Sequence, residues 1–216
     1  MTAASAHAAS RGRIDKRHAI LDAAITVFAR QGYAQACVKE IAAEASVAKP
    51  TVYNHLTDKA NLFRQAVEAA ADALHAENLA ALDGLTRPGD DLRAALEDTG
   101  RRLLRHHCSE RSTALRRLLH AEGTRFPDLL GLPSVDPRTL ATALADRLAR
   151  LCVTGRLRLT DPDRAAEQFL ALLTGPVDLR SGYAGRSMTT GEQDGIARAA
   201  VDVFLSAYTG SPAPPE

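Results

Sequence analysis

The sequence predicts an all-α protein, on three observations. Ala, Leu and Arg dominate the composition, and all three favour helix. Apolar residues recur at i, i+3, i+4, i+7 in one segment after another. No convincing run of alternating β-branched residues is present. The 216 residues suffice for one large domain, or for a small one and a medium one.

Residues 1–12, rich in Ala and Ser without periodicity, read as a disordered arm. Helix one is expected from about Arg13 to Gln31. Leu21, Ala24, Ile25 and Phe28 form its buried stripe, and Gly32 ends it. Val38, Ile41, Ala42 and Ala45 give helix two the same spacing. After a turn at Ser46–Ala48, helix three spans about Lys49 to Leu56, with Val52 and Leu56 inward. Asp58 caps helix four, which runs from Lys59 towards Leu82. Three short helices with a tight turn between the second and third make a helix-turn-helix pattern.

The punctuation continues beyond "TRPGDD". Helices are expected at about 90–107 and 110–125, the second stopping at "FPDLLGLP". Asp136–Pro137 and Asp161–Pro162 each pair an N-cap with Pro at the first helical position, opening helices to about Val153 and to at least Thr174. Pro176 kinks or ends the latter. Thr190 and Gln193 form a T-x-x-Q capping box for a last helix to about Tyr208. Residues 211–216 read as a frayed tail.

Residues 1–56 carry seven Lys/Arg and four acids, a net +3, which leaves −2 of the chain's +1 for the remainder. A basic N-terminal segment on a mildly acidic body suits a modular nucleic-acid binder. Cys37, Cys108 and Cys152 lie far apart, with no CxxC pair, so neither a disulfide framework nor a metal site is expected. His106 and His107 point about 100° apart on a helix and do not chelate together. The N-terminus lacks the apolar core of a signal peptide, and no run approaches the ~20 apolar residues of a membrane span. The expectation is a cytoplasmic protein with no cofactor and no membrane partner. No nucleotide-binding or hydrolase motif occurs, so an enzyme is not expected.

Residues 13–63, with "ILDAAITVFARQGY" and "VKEIAAEASVAKPTVYNHLTDKANLF" in register, resemble the DNA-binding domain of the tetracycline-repressor (TetR/AcrR) transcriptional regulators. "LRRLLHAEGTRFPDLL" and "DPDRAAEQFLALLTGP" resemble the regulatory domain of one branch of that family. The chain departs from the family's pattern before helix two, where Ala36–Cys37 stands in place of a Ser or Thr cap. It departs again in the turn, where Ser46 stands in place of Gly, and at the start of helix three, Ala48-Lys49-Pro50. The resemblance implies a DNA-binding domain over 13–73 and a regulatory, dimerising domain over 74–210. It implies a homodimer, a double-stranded DNA operator and an unknown small-molecule effector, most often releasing a repressor. A DNA binder with no small ligand remains the alternative.

A helix of this kind fits a major groove. Lys39 and Lys49 are the basic residues of helices two and three, and Lys49 neutralises a phosphate. Thr51, Tyr53 and His55 donate hydrogen bonds to phosphate oxygens. Pro50 touches a thymine methyl, and Asn54 pairs with an adenine edge or holds a phosphate. Lys59 joins the N-terminus of helix four at another phosphate. Arg13, in "RGRIDKRH", lies along the minor groove. The candidate polar groups of an effector pocket are His107, His120, Arg125, Gln168 and Tyr183. The last two helices are apolar on more than one side, so Phe169, Leu173, Ile196, Ala200, Val203 and Ala207 are the expected dimer face.

Overall fold

The structure is a computed structural model. It describes residues 3–55, 57–87, 89–181 and 188–209, with side chains from residue 14 onward except those of 55 and 181. Among the described residues every regular element is helical: α1 (Ala3–Gln35), α2 (Val38–Glu44), α3 (Lys49–His55), α4 (Lys59–Ala81), α5 (Leu92–His107), α6 (Glu110–Glu122), α7 (Pro137–Val153), α8 (Pro162–Ser181) and α9 (Thr190–Tyr208). Short 3₁₀ turns stand at Leu82–Leu85 and Pro127–Gly131.

The chain divides into two compact units. The first comprises residues 1–73 and 114–135; the second comprises 74–113 and 136–216. The stretch 114–135, read from sequence as part of the larger body, therefore packs with the N-terminal helices.

In the first unit, α1 begins at Ala3 rather than near Arg13. The preceding residues are rich in alanine and hold no proline, so nothing in them stops a helix. The predicted stripe is buried, with Leu21, Ala24, Ile25 and Phe28 all inside, joined by Ile20 and Val27. Gly32 breaks the helix with φ 76, ψ 163, a conformation that disfavours any other residue. That break turns Tyr33 into the core. Val38, Ile41 and Ala42 from α2, Val52 from α3, and Leu62 and Phe63 from α4 close the interior.

The weak start of α2 matches the sequence: Cys37 is the N-cap, and its side chain accepts no capping bond. The end of α2 is tightly made. Val47 N donates to Ala42 O at 2.9 Å and Ser46 N to Ala43 O at 3.0 Å. This pair of bonds is a Schellman motif, which needs a left-handed residue after the cap. Ser46 supplies it at φ 54, the one described non-glycine residue with positive φ.

In the second unit, α7 packs on α8, and α9 on both α5 and α8. Phe169 and Phe204 meet edge to face at 5.1 Å in its core. Asp136 and Asp161 cap α7 and α8 as expected, accepting from Arg138 N and Arg164 N. Of the two alternatives at Pro176, the helix does not end there: α8 runs on to Ser181. One reading is corrected. The capping box of α9 lies one residue earlier than predicted, with Thr189 and Glu192 bonding reciprocally. Thr189–Thr190 and Glu192–Gln193 offer two frames, and the chain takes the one that gives the N-cap N–H a charged acceptor.

Candidate nucleic-acid interface

Helix α3 has one inward and one outward side. Val52 is buried at 1 % exposure and anchors the helix. Lys49, Pro50, Tyr53 and Asn54 are exposed, and their i, i+1, i+4, i+5 spacing puts them on one face. Thr51 is half-buried beside them. Tyr53 keeps 45 % of its surface exposed. A large aromatic left open on a short polar helix is unusual for a purely structural residue. The Lys49 ammonium lies 5.8 Å from the Tyr53 ring centroid, which gathers a cation and a hydroxyl into one patch. Lys39 is exposed on α2. The Arg13 and His55 side chains and all of Leu56 lie outside the described residues.

Lys59 is less free than the sequence implies. Its Nζ donates to the Ala34 carbonyl at 3.0 Å and stands 4.8 Å over the Tyr33 ring. It ties the start of α4 to the break after α1. An ammonium has three donors, so two remain for a phosphate. Asp58 caps α4 as predicted, accepting from Asn61 N at 2.8 Å.

The first unit also holds an aromatic cluster that sequence reasoning missed. Phe126 packs on Phe63 at 4.7 Å and on Tyr33 at 4.9 Å; Phe28 meets Phe63 at 5.0 Å. The Arg125 guanidinium covers Tyr33 at 4.5 Å, and Arg64 covers Phe126 at 4.9 Å while its Nε bonds Asp128 at 2.7 Å. Tyr33 N donates to Glu122 Oε1 at 3.3 Å. These contacts fasten "EGTRFPD" beneath the helix-turn-helix. The available signal was four aromatics, Phe28, Tyr33, Phe63 and Phe126, and spacing alone does not pair them.

The second unit contains a cavity of about 80 Å³. Its polar lining is Asn78, His107, Ser112 and Thr174. The rest is Leu103 and Leu104 of α5, Leu140 of α7, and Leu170 and Leu173 of α8. Of the four described pocket candidates only His107 lines it. His120 and Arg125 are exposed and belong to the first unit. Gln168 is exposed on α8 and accepts from the Tyr208 hydroxyl. Tyr183 lies outside the described residues. His106 Nδ1 faces Asn78 Oδ1 at 3.2 Å, and His107 Nε2 faces Asp178 Oδ1 at 3.4 Å, so the adjacent imidazoles serve different helices. Burial pushes the His106 imidazole below the usual histidine range, against the raising effect of Glu77. Among the described residues no group of three His, Cys, Asp or Glu side chains is placed to hold a metal ion.

Four of the six expected dimer residues are closed inside the chain's own core: Phe169, Leu173, Ile196 and Ala200. Val203 and Ala207 are exposed. The outward side of α9 is Gly191, Gly195, Ala199, Val203 and Ala207, one residue every four; on α8, Leu179 stands 87 % exposed. No described helix is long and apolar enough to cross a membrane.

Residues 20–66 match the family of bacterial regulatory proteins called tetR, and residues 94–210, more than half the chain, match the C-terminal domain of AefR-like transcriptional repressors. The chain is 31 % identical over 78 residues to the HTH-type transcriptional regulator HbdR of Aromatoleum sp. (strain CIB). It is 36 % identical over 85 residues to the HTH-type transcriptional activator FasR of Mycolicibacterium smegmatis. These matches cover 36 % and 39 % of this chain and span 34 % and 39 % of those proteins. A putative tetR-family regulator from Mesorhizobium loti superposes with a TM-score of 0.81 at 26 % identity, covering 91 % of this chain and 98 % of that one. The flavonoid-responsive regulator FrrA superposes at 0.68 and 27 % identity, covering 90 % and 97 %. The chain belongs to the tetR family of DNA-binding transcriptional regulators, which are not enzymes.

Proposed function

We propose that this regulator works as a homodimer on a roughly palindromic operator in the cytoplasm, and that a small molecule entering the second unit releases it, most often lifting repression. The exposed Lys49–Pro50–Tyr53–Asn54 face of α3, held rigid by buried Val52, carries the reading. In it Lys39 and Lys49 neutralise phosphates. Thr51, Tyr53 and His55 donate to phosphate oxygens, while Pro50 and Asn54 meet base edges. Lys59 uses its two spare donors at the start of α4, and Arg13 enters the minor groove.

Three glycines support the dimer. A Cβ at Gly100 would meet Leu173 at 3.1 Å and Ala197 at 3.4 Å, so close packing within the core accounts for that glycine. At Gly175, Gly191 and Gly195 a Cβ would meet nothing within 4 Å. Helical glycine costs about 1 kcal/mol against alanine, and the chain's own packing returns none of it there. A second copy approaching the outer side of α8 and α9 gives these positions their use. The dimer face accordingly moves around the helices from the buried Phe169, Leu173, Ile196 and Ala200 to these glycines with Leu179, Ala199, Val203 and Ala207.

Repression is the sign suggested by the AefR-like description, whereas FasR is named an activator. Selection of bound fragments from genomic DNA, followed by footprinting and a reporter for the adjacent gene, tests the reading. Two protected half-sites related by a two-fold axis, and higher expression without the regulator, are expected. A single asymmetric half-site, or lower expression without the regulator, contradicts the operator or the sign respectively.

A further inference from the structure

Resting on the reading of the second unit as a sensor, we infer that its cavity takes a short, uncharged aliphatic molecule carrying a carbonyl or hydroxyl oxygen, such as a small ketone, ester or lactone. Three features of the lining set this chemistry.

Size comes first. About 80 Å³ is far below the ~300 Å³ at which pockets for drug-sized ligands begin. A short chain fits. A flavonoid or a long acyl chain does not.

Shape follows. Among the described residues every apolar member of the lining is a leucine, with no aromatic face to stack on a planar ring. Branched aliphatic walls close around a flexible chain and offer a ring system nothing specific.

Charge and hydrogen bonding fix the head group. Among the described residues no Lys or Arg lines the cavity, and no carboxylate does. The adjacent charges are already compensated: Glu77 and Arg111, neighbours in sequence of Asn78 and Ser112, pair at 4.0 Å. Asp178 lies behind His107, so an anionic ligand would meet a carboxylate there and no balancing cation. A cationic ligand would find no carboxylate in the lining and no aromatic cage. Burying an unpaired charge costs far more than burying a hydrogen-bonded neutral group. The neutral donors are in place. His106 Nδ1, donating to Asn78 Oδ1, turns the Asn78 amide so that its NH₂ is the free end. Thr174 donates to the Leu170 carbonyl at 3.1 Å and keeps acceptor capacity on its oxygen. An oxygen head placed at Asn78, with its chain among Leu103, Leu140 and Leu170, satisfies both halves of the lining.

The test uses the full chain and four probes of matched or contrasting chemistry: 2-pentanone, γ-butyrolactone, pentanoate and the flavonoid naringenin. Binding is followed by ligand-observed NMR, and release by fluorescence anisotropy of the selected operator. The variants are Leu140→Phe, which fills the cavity from a half-buried position, and Asn78→Leu, which removes the amide at similar volume. Saturable binding of the ketone or the lactone is expected, at least tenfold tighter than pentanoate, lost in Leu140→Phe and several-fold weaker in Asn78→Leu. Tighter binding of pentanoate or naringenin that is still lost in Leu140→Phe overturns the ligand class while leaving the sensor reading intact. Ketone binding unchanged in both variants overturns the site. Saturable, variant-sensitive ketone binding that leaves operator affinity unaltered supports the ligand class and removes the sensor reading instead. No binding by any probe overturns the inferred class.

Discussion

Ser46 shows how a single residue carries the geometry of the helix-turn-helix. The Schellman bonds at the end of α2 require a left-handed backbone at this position, and serine meets it at φ 54. For a residue with a Cβ this conformation costs roughly 1–2 kcal/mol relative to a right-handed one. Ser46→Gly is therefore expected to raise stability by about 1 kcal/mol, less the entropy that glycine adds to the unfolded chain. Urea denaturation checks it; a lower midpoint in the variant would show that the serine side chain contributes something the backbone account omits. His106 makes the second prediction at this scale. Its folded pKa is lowered, so below the ordinary value of 6.5 the unfolded chain takes up the proton first. Stability is then complete above about pH 6.5 and falls as pH drops towards the folded value. The urea midpoint should fall between pH 7.5 and 5.5, and fall less in His106→Asn. Equal pH responses in the two proteins would remove the assignment. The Arg64 guanidinium holds the Asp128 carboxyl below its usual range, so that contact weakens only in much stronger acid.

At the level of elements, the segment from Glu122 to Asp128 is the feature that most changes the picture from sequence. Phe126 is 3 % exposed against the Tyr33 and Phe63 rings, and its removal opens a cavity. Phe→Ala changes of this kind cost about 3–5 kcal/mol. Phe126→Ala is expected to destabilise the first unit by that order, and operator binding should fall with the folded fraction. Asp128→Asn, which breaks an exposed ion pair, should cost under about 1 kcal/mol. Equal losses in the two variants would mean that charge, rather than packing, holds the segment. Sequence reading found the elements better than their neighbours. Helical periodicity marked the α1 stripe, and the Asp58, Asp136 and Asp161 caps were visible because a cap and its helix are contiguous. The same periodicity says how apolar a helix is without saying which apolar side meets its own core. That is why Phe169, Leu173, Ile196 and Ala200 read as a dimer face from sequence alone. The cavity was legible only at His107, since Asn78, Ser112 and Thr174 are ordinary polar residues until α4, α5, α6 and α8 bring them together. On α3 the exposed face is visible in both, because a seven-residue helix with one buried Val has little choice of side.

For the whole molecule, DNA recognition and dimerisation are one proposition, because two α3 helices must meet two grooves one helical turn or more apart. Gly195→Leu separates folding from assembly. The new side chain enters open space in the single chain and improves helix propensity, so the fold should gain slightly. A second copy would be pushed away. Sedimentation should show monomers, with operator affinity falling steeply; a stable dimer in the variant would place the interface elsewhere. The central claim, that α3 presents Lys49 and Tyr53 to the phosphates of an operator bound by two copies, is tested most directly by the salt dependence of binding to the selected operator. Each neutralised phosphate contributes about 0.9 to the slope of log K against log salt. Lys49→Ala removes one contact from each of two subunits, so the slope should flatten by about 1.8, and Tyr53→Phe should weaken all sequences about equally. An unchanged affinity and slope in Lys49→Ala would contradict the account, and flattening by only about 0.9 would mean that a single copy binds.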